Sequence, residues 1–296
     1  MFIWQSVLLR QTCRVVVLSL ALSACSDSTS SKVEPSKIPL GDGKISTAGP
    51  AVGYVFACSV PSSNNPSGKA PWISADGLTW DSAAKITVQG SVQWASGFAT
   101  SLLGSLLNIT GNGLPNHPTG NFPIARADPA YQYDKNPNAI QSVTINWGLT
   151  SSPAVAARPS CLGLGAIGVL FTGARLFNAL DADGRDAVAH EVQDSCGGHP
   201  QSIGSYHYHD VSKCINQSNG GNQHSPQVGV IADGFGLYGN QGEGGKALTN
   251  ADLDECHGHV HAVAMNGQTR EQYHYHATQE YPYTVGCFKG TPVLIH

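Results

Sequence analysis

Tyr206-His207-Tyr208-His209 and Tyr273-His274-Tyr275-His276 are one tetrapeptide written twice. Strict alternation of two residue types suits an extended strand, in which residues i and i+2 share a face about 6.5–7 Å apart. Each copy therefore has a histidine face and a tyrosine face. Upstream, Asp194-Ser195-Cys196-Gly197-Gly198-His199 aligns with Asp254-Glu255-Cys256-His257-Gly258-His259. The offset is 60 residues there and 67 at the tetrapeptides, so the second copy holds a seven-residue insertion. Two copies suggest a pseudo-symmetric pair of hairpins; a solenoid would need three or more units.

The rest of the chain supports a β reading. Strand-like runs recur at Val52–Val60, Ile86–Trp94, Ser142–Trp147, Ile167–Phe171, Val228–Ile231 and Val260–Ala264. Turn-forming stretches such as Pro61–Gly68, Gly111–Gly120 and Asn216–Gly221 separate them. Only two short helices are expected, Asp186–Val192 with Asp186 as N-cap, and Ser96–Leu107. The expected fold is mostly β, a sandwich or irregular barrel with long loops and an internal pseudo-repeat in the C-terminal half. Charged residues are 12 % of the 296, against roughly 25 % in an average globular protein. Together with 34 glycines, that suits a turn-rich exported protein.

The N-terminus reads as a signal peptide, residues 1–24. Arg10 and Arg14 precede the apolar run Val15–Leu22, too short to span a bilayer of about 30 Å. Leu22-Ser23-Ala24-Cys25 resembles the lipobox of bacterial lipoproteins, which implies lipidation (palmitate among the acyl groups) at Cys25. Several acyl chains anchor a protein stably to a membrane. By the same resemblance, Ser26 points to the outer membrane of the cell envelope. Residues 25–50 are expected to be the lipidated cysteine and a flexible tether, 51–160 an N-terminal β region, and 161–296 the repeat-bearing domain.

Removing Arg10 and Arg14 takes the net charge from −4 to near −6, and no Lys/Arg run occurs. A nucleic-acid partner is therefore not expected, because backbone affinity needs clustered positive charge. Beyond Cys13 and Cys25 six cysteines remain, an even number in an oxidising compartment, and disulfides are the default. Each repeat has its own nearby pair, Cys196–Cys214 and Cys256–Cys287, and elimination leaves Cys58–Cys161.

Ten of the twelve histidines fall between His190 and His276. His-x-His on a strand can present two imidazoles to one zinc or copper ion. The duplicated set is His199, His207 and His209 with His259, His274 and His276; His257 and His261 are further candidates. Each copy can build a three-histidine site, or both can face one two-metal site. The alternatives are histidines that only build the fold, and ligation by the Cys-x-x-His thiolates.

Asp-Ser-Cys-Gly-Gly-His-Pro, Tyr-His-Tyr-His, Asp233-Gly234-Phe235-Gly236-Leu237-Tyr238-Gly239, Asp252–His259 and Pro282–Gly290 together resemble the YHYH-domain family. The likeness spans roughly Gly165 to Gly290, with accompanying segments at Gly120–Ile124 and Asn136–Asn138. Gly236-Leu237 departs from the Pro-Ile expected there, on a loop and away from the ligands. The resemblance implies the domain and brings no activity with it.

Asp233 ends a strand before a Gly-rich turn, where it can ligate metal, orient a histidine or cap the turn. Asp194 and Asp254 can support the histidines or cap their loops. Asp181–Asp186 lacks the Gly position and terminal carboxylate of a calcium loop and reads as a polar turn. A P-loop and a Gly-x-Ser-x-Gly elbow do not occur. Trp72, Trp80, Trp94 and Trp147 can stack sugars or fill a core. The leading expectation is an exported, membrane-anchored lipoprotein binding zinc or copper. The alternatives are a metal-dependent hydrolase or oxidoreductase, and a carbohydrate or protein binding module. Metal should leave as pH falls below about 6, because only neutral imidazole ligates.

Overall fold

The computed structural model describes residues 33–62, 70–265 and 268–295. The segment with Arg10, Arg14 and Cys25 lies outside them. Four two-residue strands, β1 (Ile38–Pro39), β2 (Ile45–Ser46), β3 (Val55–Phe56) and β4 (Thr79–Trp80), pair as β1 with β4 and β2 with β3. Ile38–Pro39 and Ile45–Ser46, inside the stretch expected as a tether, are therefore paired into strands. Ile38 and Leu40 are buried, and the Gly41 amide donates to Asp186.

The expected helix over Ser96–Leu107 is instead a hairpin, β5 (Ala99–Leu103) and β6 (Leu106–Gly111). Leu103 pairs with Leu106 across a two-residue turn, with Gly104 at φ +60°, the left-handed conformation such hairpin turns use. Strand β7 (Ile145–Thr150) completes this three-stranded sheet. Its sequence alternates buried and exposed, so Ile145, Trp147 and Leu149 face inward.

The main sheet has eight strands. These are β8 (Ala166–Leu170), β9 (Arg175–Phe177), β10 (Gly198–Pro200), β11 (Tyr206–Tyr208), β12 (Gln227–Ile231), β13 (Gly236–Tyr238), β14 (Gly258–Met265) and β15 (Gln268–His276). Their order is β10-β11-β9-β8-β12-β13-β15-β14, which reads the same from both ends once the two repeats are superposed. The two central strands are antiparallel, with Val169 opposite Val230. Hairpin β8–β9 pairs Val169 with Arg175 and Gly168 with Leu176, then bulges before Ala166–Phe177. Hairpin β12–β13 pairs Val230 with Gly236 and Gly229 with Leu237, then bulges before Gln227–Tyr238. Register and bulge recur at an offset of 61 residues. The duplicated unit is thus a four-stranded one, larger than the tetrapeptide string, and a pseudo-twofold axis passes by the Val169/Val230 pair.

The central strands read as continuous apolar runs because both faces are covered. Val169 and Val230 pack under Leu107, Ile109, Trp147 and Leu149 of the small sheet, a local sandwich. Leu170, Val228 and Ile231 join the larger core on the other face. That core runs from Ile38 to Phe288, so residues 51–160 and 161–296 share it. The eight-stranded sheet does not close on itself among the described residues. Ile86–Trp94 forms only isolated pairings, Val88 with Asp194 and Val92 with Thr119.

Helix α1 (Ala187–His190) is one turn, and Asp186 caps it by accepting from the Ala189 amide. All three expected cysteine pairs are joined: Cys58–Cys161, Cys196–Cys214 and Cys256–Cys287. Trp72, Trp80 and Trp147 are buried, and the Trp72 indole donates to the Ala189 carbonyl. These three are core residues and offer no platform for a sugar.

Candidate metal centres

His199, His207, Arg175, Val169 and Val230 form one lateral row across five neighbouring strands. Laterally paired residues project from the same face, so the histidines emerge beside the small sheet and the tyrosines enter the core on the other side. His259 and His274 are paired at the opposite end of the eight strands. Five inter-strand steps of about 4.8 Å separate β11 from β15, roughly 24 Å. A shared two-metal site needs ions about 3.5–4 Å apart, so the copies build two separate centres.

The first centre gathers His199, His207 and His209, whose nearest nitrogens all lie within 4.8 Å of one another. His207 Nδ1 faces the Ser205 carbonyl at 3.1 Å, and His209 Nδ1 faces that of Asn178 at 2.5 Å. A carbonyl only accepts, so both Nδ1 atoms carry protons, and in the neutral ring Nε2 keeps the lone pair. Glu191 enters from the loop after α1. Its Oε2 lies 3.1 Å from His199 Nε2 and 3.0 Å from His209 Nε2. Neither contact has hydrogen-bond geometry, which leaves Glu191 Oε2, His199 Nε2 and His209 Nε2 as buried polar atoms without a partner. Four donors around one point at zinc–ligand distances of about 2.0–2.1 Å would stand about 3.3 Å apart. Burial opposes charge on Glu191, yet the adjacent His199 and His209 rings hold its carboxyl well below the usual range. His209 is pushed down by burial but raised overall by Glu191. His207 is pushed well below its usual value, by burial first and then by His199 and His209.

The second centre gathers five imidazoles: His224, His259, His261, His274 and His276. His276 Nε2 lies 3.1 Å from both His224 Nε2 and His274 Nε2. The Nδ1 atoms of these three rings face backbone carbonyls: Gly239 at 2.6 Å, Ser225 at 2.7 Å and Gln272 at 3.0 Å. Their protons are committed there, so three Nε2 lone pairs are held against one another. Nε2 of His259 and of His261 is buried with no partner. Burial, then the neighbouring rings, pushes His259 down to about 4; for His274, pushed to about 3, burial again leads. His276 goes well below its ordinary value for the same reasons. One ion with bonds of about 2.0–2.1 Å spans donors up to about 4.2 Å apart, so the 4.8 Å set closes onto it with shifts of about half an ångström.

His261 has no counterpart in the first copy. The seven extra residues lengthen the β14–β15 hairpin, and His261, two positions beyond His259, is carried to the same face. Glu191 and His224 were not expected from the sequence. Each comes from a loop outside the duplicated strings, and the only signal for His224 was its place within the histidine-rich stretch.

Two candidates are structural instead. His257 is a strut at φ +75°, its Nδ1 shared between the His276 and Thr284 carbonyls and its Nε2 between Asn250 and Thr278. Asp233 accepts the Tyr275 hydroxyl at 2.5 Å and the Gly290 and Phe235 amides, so its oxygens are turned away from the histidines. Asp194 and Asp254 play matching parts. Each caps its Cys-x-Gly loop and accepts the first tyrosine hydroxyl, Tyr206 or Tyr273. Cys196 and Cys214 lie near His117, but the disulfide removes them as thiolate ligands.

The tyrosine face yields a prediction. Tyr275 donates to Asp233 and accepts from the Lys289 amide at 2.8 Å, fully buried. Tyr275→Phe strands both partners and should cost about 2–3 kcal/mol by urea unfolding. A loss below about 0.5 kcal/mol would contradict that packing.

The fold and its centres define a duplicated β-sheet domain with a histidine cluster at each end of one sheet. Residues 146–248 match the model of the YHYH protein family, so the chain carries a YHYH domain. The match contains the whole first copy and the β12–β13 hairpin of the second, and the second tetrapeptide lies beyond it. No curated protein and no solved structure matches the chain.

Proposed function

We propose that this protein is an exported, lipid-anchored binder of transition-metal ions, zinc or copper, with one ion in each histidine centre. The observation that carries this reading is the set of opposed Nε2 atoms in the second centre. Three rings whose Nδ1 protons are fixed by carbonyls bring lone pairs to 3.1 Å. Such an arrangement repels itself until a cation stands between the nitrogens. Carbonyl anchoring of the remote ring nitrogen is also how protein metal sites orient their histidines. Three disulfides fit the oxidising compartment that the signal-like N-terminus and Cys25 imply.

The test is elemental analysis after reconstitution with zinc and with copper. The wild type should hold two ions per chain. His207→Ala/His209→Ala and His259→Ala/His261→Ala/His274→Ala/His276→Ala should each hold one, with the β circular-dichroism spectrum retained. A wild type that holds none after reconstitution would sink the reading.

A further inference from the structure

The two centres share a strand plan but differ in what surrounds them. The first lies on the wall of a 690 Å³ cleft that also includes Asp134, Lys135, Asp181, Asp183 and Arg185. All four of its candidate donors, His199, His207, His209 and Glu191, line that cleft. The second centre is imidazole throughout. Among the described residues, Glu243 stands 4.0 Å from His261 Nδ1 and is 77 % exposed, a water-screened neighbour and not a ligand.

We infer that Glu191 is the fourth donor of the first centre, making it a three-nitrogen, one-oxygen site that exchanges ligands with the cleft, while the second centre holds its ion with imidazole alone. This rests on metal binding at the first centre. Three observations carry it. Glu191 Oε2 is within 3.1 Å of two ring nitrogens without a hydrogen bond to either. His199, His207 and His209 each offer one ring nitrogen, all within 4.8 Å of one another. The donors face a cleft large enough for a small molecule.

The chemistry of the cleft selects the incoming ligand. Asp134, Asp181, Asp183 and Glu191 outnumber Lys135 and Arg185, and Arg185 is already spanned between Asp181 at 2.6 Å and Asp183 at 3.0 Å. With a divalent ion in place these charges roughly cancel, so the wall does not select for an anion. An oxygen donor on a polar molecule, a carbonyl, hydroxamic acid or hydroxyl, is accepted. Exchange with the cleft then requires the shell to expand from four donors to five, or one protein donor to yield its place, as in zinc sites that keep an exchangeable position.

The experiment uses the cobalt(II)-loaded protein and acetohydroxamic acid, which is neutral in solution at pH 7 and gives up its hydroxyl proton to solvent as its two oxygens bind the ion. In His259→Ala/His261→Ala/His274→Ala/His276→Ala, which keeps only the first centre, the visible cobalt bands should shift on titration. In His207→Ala/His209→Ala, which keeps only the second, they should not. Glu191→Gln should weaken cobalt at the first centre by about tenfold or more and leave the second unchanged. A first-centre protein that holds one cobalt by elemental analysis but shows no shift overturns the exchange site. Equal shifts at both centres overturn the division between them. Unchanged cobalt affinity in Glu191→Gln overturns its role as donor. Absence of cobalt from the first centre would instead defeat the metal reading on which all of this depends.

Discussion

Gly258→Ala is expected to cost about 3 kcal/mol and to empty the second centre. A Cβ built there stands 2.4 Å from the His274 carbonyl oxygen and from the Tyr273 hydroxyl, and 2.5 Å from the ring carbon bearing it. The same position of the first copy, Gly198, meets the Tyr206 ring at 2.3 Å. Neither ring can yield, because Tyr273 and Tyr206 are buried and held by Asp254 and Asp194. The strand must move, and it carries the next residue, His259 or His199, out of its cluster. Overpacking of this kind costs about 1–3 kcal/mol, and the clash lies at the severe end. Gly163→Ala, where nothing stands within 4 Å, is the control and should change stability little. Urea unfolding and metal content measure both effects. A Gly258→Ala protein within about 1 kcal/mol of wild type, with two ions bound, would contradict the packing.

That glycine explains why the repeated string is longer than its histidines. Cys-x-Gly-His is a loop in which the aspartate two residues upstream holds the tyrosine, the tyrosine fills the space over glycine, and the histidine follows on the opposite face. Alternation alone disclosed the two faces of Tyr-His-Tyr-His, and proximity in sequence disclosed the disulfides. The larger duplication was also written in the chain, as Gly168-Val169 with Leu176 against Gly229-Val230 with Leu237. It escaped because only two glycines, a valine and a leucine mark it. At Gly168 and Gly229 a Cβ would strike the Val230 and Val169 carbonyls at 2.5 and 2.6 Å, so small residues there let the central strands meet at the axis.

Other features were illegible for physical reasons. Leu102, Leu103, Leu106 and Leu107 mimic helical spacing, yet a turn at Gly104 separates them into a hairpin. Asp233 has the residue type of a ligand, but the nearest hydroxyl, that of Tyr275, claims it through the fold. Glu191 and His224 reach their centres from loops of unequal origin, one after α1 and one before β12. Duplication supplied the histidine pairs that were readable, and the unpaired loops supplied the residues that distinguish one centre from the other.

The metal-free protein is expected to lose several kcal/mol of stability between pH 6.5 and 4. His257 is fully buried, and burial pushes it down to about 4, while His274 is pushed to about 3. Between those values and the ordinary 6.5, the unfolded chain binds protons that the folded chain refuses. Stability therefore rises with pH across that window and is lost as pH falls through it. At about 1.4 kcal/mol per pH unit, His257 alone corresponds to about 3 kcal/mol. Asp186 works the other way: burial raises it to about 6, so the folded chain takes its proton first and gains stability as pH drops from 6 toward 3.8. Its contribution, about 3 kcal/mol at most, cancels roughly one histidine, and Asp134, Asp194, Asp210 and Asp233, raised by burial, act in the same direction. His207, His259, His274 and His276 remain on the losing side. Bound metal should steepen the loss, because protons then compete with the ion for the same Nε2 atoms. Urea unfolding at half-unit pH steps, with and without zinc, reads both curves. A metal-free protein equally stable at pH 7 and pH 4.5 would show that these rings are not held neutral by burial.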